Sequence, residues 1–178
     1  TYSKGLFLKP RRYHMSLTAI DDTLLFGLAS GSFIPRHTLE EVGLMREEFW
    51  IDYIDYEFSF RVRKRGYRIL GVGGARLNHR LGITNYLKIL GKEFSYQVHP
   101  AFRRYTIYRN RITVIKEYAA LFPDFLLFEI LSIAKDFFKL VLLEDQKINK
   151  LRSIFIGIMH GMTGSFNRSI RHREGDKY

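Results

Sequence analysis

The spacing of apolar positions divides this chain into a first part of short mixed elements and a second part of long helices. From Leu17 to Ser32, apolar and β-prone residues flank a polar Asp21-Asp22-Thr23 turn. Thr23 to Ala29 predicts a strand ending at Ser30-Gly31-Ser32, where glycine permits a tight turn. Thr38 to Glu41 reads Thr-x-x-Glu, a capping box that predicts a short helix, with Gly43 placed to end it. From Asp52 onward Ile54, Phe58 and Val62 recur every four residues, so they stack on one helical face, and Gly66 stops that helix after a basic last turn. Tyr67 to Val72 and Ala75 to His79 read as two further short strands.

Beyond Tyr118 the pattern becomes helical throughout. Leu121 to Leu143 is dominated by Leu, Phe and Ile, interrupted at helical spacing by Glu129, Ser132, Lys135, Asp136 and Lys139. That pattern predicts an amphipathic helix, and its charges argue against a membrane span. A second helix places Ile148, Leu151, Ile154, Phe155, Ile158 and Met162 on one broad face. Pro123 marks the expected start of the first helix, and Asp145-Gln146 the expected join between the two. The pattern gives two units, residues 1–118 and a helical tail at 119–178. No internal repeat or low-complexity stretch interrupts them.

Composition narrows the function classes. The 178 residues are 46% hydrophobic and 15% aromatic, far too apolar for a disordered basic tail, so a packed core is expected. With no cysteine there is no disulfide framework and no thiolate metal site, which suits a cytoplasmic protein. No basic region followed by an apolar run and a cleavage site opens the chain, so no secretory signal is expected, and Thr1 in place of methionine suggests a piece of something longer. Lys and Arg total 29 against 18 acids, a formal charge of +11. Such a balance fits nucleic acid, an anionic membrane surface or an anionic small molecule. Zinc-finger spacing, heptads behind a basic region and an RNA-binding signature are all missing, which disfavours nucleic acid.

The chemistry concentrates in Phe49-Trp50-Ile51-Asp52-Tyr53-Ile54-Asp55-Tyr56-Glu57-Phe58-Ser59-Phe60-Arg61. Three carboxylates stand at a helix entry among aromatic side chains. Capping and dipole compensation explain such a cluster in the absence of other signals. Arg61 follows Glu57 by four residues, the spacing of an intrahelical salt bridge.

The stretch from Glu41 to Ile69 resembles the second half of family-2 glycosyltransferases, closest to their bacterial rhamnosyltransferase-like branch. Ser30-Gly31-Ser32 with the helix ending Val42-Gly43-Leu44 is similar to that family's acceptor-side turn and helix. Asp55-x-Glu57 ahead of Arg61 is similar to its acidic motif, and Gly66-Tyr67-Arg68-Ile69 to the passage behind it. Arg103-Arg104-Tyr105 and Tyr108-Arg109-Asn110 resemble the start of the long helix that follows the catalytic region. The resemblance runs from about Leu25 to Asn110 and more loosely through the tail.

The resemblance implies an α/β fold, the C-terminal half of a GT-A (Rossmann-like) domain followed by the helical tail. It implies an inverting transfer of a sugar, rhamnose in the branch it resembles, from a nucleotide-sugar donor to a saccharide or lipid-linked acceptor in polysaccharide assembly. Asp55 is then the base that takes the acceptor proton. Asp52, Glu57, Ser30 and Gly31 hold the acceptor or support the base. His79 is a ligand of a divalent cation, Mn2+ or Mg2+, whose role is to offset charge on the leaving diphosphate, or else a contact of that diphosphate itself. Arg103, Arg104 and Arg109 are candidates for the diphosphate itself, because guanidinium grips phosphate oxygens as a fork. One departure stands out: the family's donor-side Asp-x-Asp motif has no counterpart here. The chain therefore reads as a fragment that is not expected to turn over alone, with further cation ligands expected from the donor-side half.

The tail suits either a peripheral position on the inner face of an anionic plasma membrane or packing in a homo-oligomer. Gly157-x-x-x-Gly161 permits close helix approach. The competing function class is a noncatalytic basic module of similar fold that binds membrane or nucleic acid.

Overall fold

The computed structural model describes residues 16–75, 77, 85–89 and 92–166, with the two strands in 85–96 described as backbone. The element order is β1 (Ile20–Asp21), α1 (Arg36–Val42), a 3-10 turn (Glu47–Phe49), α2 (Ile54–Lys64), β2 (Gly71–Val72), β3 (Asn85–Ile89), β4 (Lys92–Tyr96), α3 (Ala101–Tyr118), α4 (Pro123–Leu143) and α5 (Lys147–Thr163). Helix dominates. The described strands form two separate antiparallel pairs, β1 with β2 in the register Ile20 to Val72, and β3 with β4 from Asn85–Tyr96 to Ile89–Lys92.

The strand expected over Thr23 to Ala29 does not form, and α2 explains why. Arg63 Nη1 donates to the Leu24 carbonyl at 2.6 Å, Ser59 Oγ accepts from the Gly27 N–H at 3.3 Å, and Asp55 Oδ1 accepts from the Ala29 N–H at 3.1 Å. Residues 55, 59 and 63 share one face of α2, so side chains of a helix take the backbone groups that a neighbouring strand would otherwise pair. The segment lies along α2 as a strap, with a single bridge residue at Leu24. The capping box at Thr38 is also corrected: α1 starts at Arg36 behind Pro35, whose fixed φ suits the entry, and Thr38 is buried inside the helix. Gly43, at φ 87°, ends α1 as expected.

Two apolar clusters sit on either side of α2. Phe58 and Val62 pack with Val42 of α1, while Phe60 points the other way into Leu25, Phe26, Phe49, Val114, Tyr118 and Phe125. That larger cluster draws on the strap, α2, α3 and α4 together, and it fixes the acidic segment against the long helices. Glu57, fully buried, ties α2 to α3. It accepts from Arg61 Nη2 at 3.0 Å, the expected intrahelical pair, and from the Tyr118 hydroxyl at 3.0 Å.

The helical tail begins at Pro123 and turns between Leu143 and Lys147, as the sequence predicts. On α5, Ile148, Leu151, Phe155 and Met162 are exposed, whereas Lys150, Gly157 and Gly161 are the buried positions against α3. A Cβ on Gly157 would lie 2.5 Å from the Tyr105 carbonyl oxygen, and one on Gly161 would lie 2.6 Å from that of Arg109. Helix backbones therefore meet at the glycine pair, and a larger residue has no room there.

Candidate functional site

The acidic segment enters α2 through a tightly wound loop. Trp50, Asp52 and Tyr53 all have positive φ, at 56°, 61° and 64°, a region that bulky residues adopt only when surroundings over-determine it. The surroundings are on α3. Asn110, fully buried, directs its Nδ2 at the carbonyls of Phe49 (3.0 Å), Ile51 (2.9 Å) and Asp52 (2.9 Å). Arg109 donates to the Glu48 carbonyl at 2.9 Å. Arg103 grips the Asp52 carboxylate with both arms of its fork, each at 3.0 Å.

Tyr53 anchors the other end. Its hydroxyl donates to Glu129 Oε2 at 2.7 Å and accepts from Arg111 Nε at 2.5 Å, and Arg111 pairs with Glu129 at 2.8 Å and with Asp136 at 3.2 Å. Burial pushes the Tyr53 hydroxyl well above its ordinary value, and it pushes Glu129 upward against the attraction of Arg111. A buried carboxylate, guanidinium and phenol thus lock α3, α4 and the loop into one body.

Asp55, in the first turn of α2, is the half-buried carboxylate that this framework positions. Its Oδ1 is fixed by the Ala29 N–H, which opens the Ala29–Ser32 turn; the Ser32 N–H closes that turn onto the Ala29 carbonyl at 3.0 Å. Ser30 and Gly31, both exposed, are therefore carried near Asp55, and Gly31 needs its φ of 79° there. Partial burial raises the Asp55 carboxyl above its ordinary value; the Ala29 N–H opposes this and the Asp52 charge adds to it. A carboxylate with raised proton affinity, held by one oxygen at a polar turn, has the properties of a general base.

The remaining candidates among the described residues are engaged by other partners. Asp52 is committed to Arg103, and Glu57 to Arg61 and Tyr118 inside the core. Arg104 is buried and paired with Glu144, which also binds Lys150 at 3.0 Å; Arg109 is buried beneath the loop. The diphosphate role expected of these two arginines does not suit such enclosed positions, because phosphate oxygens would have to displace packed backbone and side chains. Arg103, with a side chain 39% exposed, sits nearer the surface on Asp52. His79 lies outside the described residues. Among the described residues no three His, Asp or Glu side chains group to hold a metal ion, so the described carboxylates do not by themselves fit a divalent cation.

Sequence reasoning missed Asn110, Arg111 and Tyr53 as the residues that shape the site. The available signal was Arg109-Asn110-Arg111, three consecutive polar residues between Ile107 and Ile112 within a helix that must bury most of its surface.

No protein-family model matches the chain. No solved structure matches it. Over 90 residues, 51% of its length, the chain is 29% identical to the dTDP-rhamnosyl transferase RfbF of Shigella flexneri, and the alignment covers 29% of that protein. The chain thus spans less than a third of the relative it matches. The similarity relates this part of the chain to a glycosyltransferase.

Proposed function

We propose that these residues form the acceptor side of an inverting glycosyltransferase. It moves a sugar, rhamnose in the reading we favour, from a nucleoside diphosphate donor to a saccharide or lipid-linked acceptor. The observation that carries this reading is Asp55: a half-buried carboxylate of raised proton affinity, anchored at the Ala29–Ser32 turn by a loop that α3 holds in a high-energy conformation. In the proposed step the acceptor hydroxyl gives its proton to Asp55 while its oxygen attacks the anomeric carbon. The bond from that carbon to the diphosphate breaks, and its electron pair leaves with the diphosphate. The Ser30-Gly31 turn borders the approach of the acceptor, and the donor-side carboxylates are supplied by polypeptide outside these residues. The partial identity to a dTDP-rhamnosyl transferase supports the donor class.

Transfer assayed with dTDP-rhamnose and a panel of other nucleotide sugars, with and without manganese, on the gene product carrying this chain tests the reading. Sugar incorporated into a lipid-linked or free saccharide is the expected result. Absence of transfer and of nucleotide-sugar binding across the panel would contradict it.

A further inference from the structure

Helix α4 is built inside out relative to a helix that faces water. Its polar residues turn inward: Glu129, Ser132 and Asp136 meet Arg111 of α3, and Lys139 Nζ donates to the Gln97 carbonyl at 3.1 Å. The outward stripe is Leu127, Leu131, Phe138 and Leu142, spaced at four, seven and four residues and between 43% and 73% exposed, with Ile130 and Phe137 beside it. The exposed charge on α4 is Lys135. Helix α5 repeats the arrangement, with its glycines against α3 and Ile148, Phe155 and Met162 exposed at 82%, 65% and 59%. Two consecutive helices that each expose an apolar stripe leave more outward apolar surface than a water-facing domain ordinarily does.

Charge selects the occupant. The chain carries +11, so a second copy brings like charge to the same face, whereas an anionic lipid surface brings the opposite sign. The exposed charges near the stripes are mainly cationic, Lys135, Lys147 and Arg152 against Asp145. The sequence after α5 adds Arg168, Arg171, Arg173 and Lys177 against Glu174 and Asp176. Among the described residues no helix is long and apolar enough to cross a membrane. We propose that the outward faces of α4 and α5 dock on an anionic lipid surface. Their aromatic and aliphatic side chains enter the headgroup–acyl boundary, and Lys135, Lys147 and Arg152 sit among the phosphates. The inference stands on the polarity of the helices and does not depend on the glycosyl-transfer reading.

Co-sedimentation of the 178-residue chain with vesicles tests it, using phosphatidylcholine alone and phosphatidylcholine mixed with phosphatidylglycerol. The expected result is binding to the mixed vesicles that falls with added salt and is weak on phosphatidylcholine. The exposed double variant Phe138→Glu/Leu142→Glu should weaken binding by about tenfold or more, with unchanged circular dichroism. Lys135→Glu, which leaves every apolar contact in place, should weaken it on the mixed vesicles alone. Absence of sedimentation, equal binding to both vesicle types, or binding indifferent to all three substitutions would overturn the proposal. A lipid-independent dimer in sedimentation velocity, dissolved by Phe138→Glu in a chain that ignores vesicles, would overturn it in favour of a second copy.

Discussion

The side-chain nitrogen of Asn110 stands 2.9 Å from the backbone carbonyl of Asp52, and through that contact α3 holds the loop that delivers Asp55. The same nitrogen reaches two further carbonyls, so its two hydrogens are shared among three acceptors. Left-handed conformations at Trp50, Asp52 and Tyr53 each cost roughly 1–3 kcal/mol. They persist because releasing them would strand buried carbonyls without donors.

Asn110→Ala is therefore expected to destabilise the fold by about 2–4 kcal/mol, since it leaves carbonyls unsatisfied as well as removing bonds. Asn110→Asp should cost at least as much, because it turns a carboxylate oxygen toward those carbonyls. Urea denaturation followed by circular dichroism measures both. A loss below about 0.5 kcal/mol, the range of ordinary surface substitutions, would mean that the loop holds itself.

Gly161→Ala should cost about 1–3 kcal/mol by overpacking. The new methyl would stand 2.6 Å from the Arg109 carbonyl and 2.8 Å from Ile112 Cβ, and backbone cannot step aside as a flexible side chain can. Hydrogen exchange should show lost protection in α5 while α1 and α2 keep theirs. Unchanged protection along α5 would contradict the close approach of α3 and α5.

How much of this was legible in the sequence depends on whether a local rule or a distant partner decides. The four-residue recurrence of Ile54, Phe58 and Val62 announces α2, and Pro123 marks the start of α4. Periodicity reports that a helix has two faces but not which one packs. Arg111 on α3 draws Glu129 and Asp136 inward, and nothing near α4 in sequence carries that information. The strap at 24–29 looks like a strand because its residues are β-prone. It is not one, because Asp55, Ser59 and Arg63 engage its backbone first. Asp55 stood out through the resemblance of Asp55-x-Glu57 to a family's acidic motif, whereas Asn110 did not stand out as a shaping residue, since a single amide inside a helix announces no partner.

His99 provides a pH test of the crowded cationic corner at the start of α3. Burial, with Arg103, Arg104 and Lys139 nearby and Asp52 opposing them, lowers its imidazole to about 4. The unfolded chain then binds a proton more readily than the folded one between about pH 4 and 6.5. Stability from this group is present in full above that window and is lost as pH falls through it. An NMR titration should show one histidine with a midpoint near pH 4, absent in His99→Gln, and the variant should lose less stability on acidification. A His99 midpoint above 6 would contradict the enclosure.

Asp55 has the opposite linkage. Its raised carboxyl value means that the folded chain holds this proton more tightly than the unfolded chain does. Ionisation of Asp55 thus opposes folding at neutral pH, and that opposition fades as pH falls through the folded value. Asp55→Asn keeps an oxygen for the Ala29 N–H and should match or exceed the wild type in thermal stability at pH 7, with the difference shrinking toward acid. An Asn variant clearly less stable at pH 7 would show that the charge itself supports the strap.

That stability expectation makes the same substitution a clean probe of function. The decisive measurement is sugar transfer by the gene product bearing Asp55→Asn, run beside donor binding by calorimetry. Loss of a positioned base should lower the turnover rate by about 10²–10⁴-fold while donor affinity stays within a factor of about two. Wild-type turnover from the Asn variant would remove Asp55 from the chemistry and contradict the proposed site.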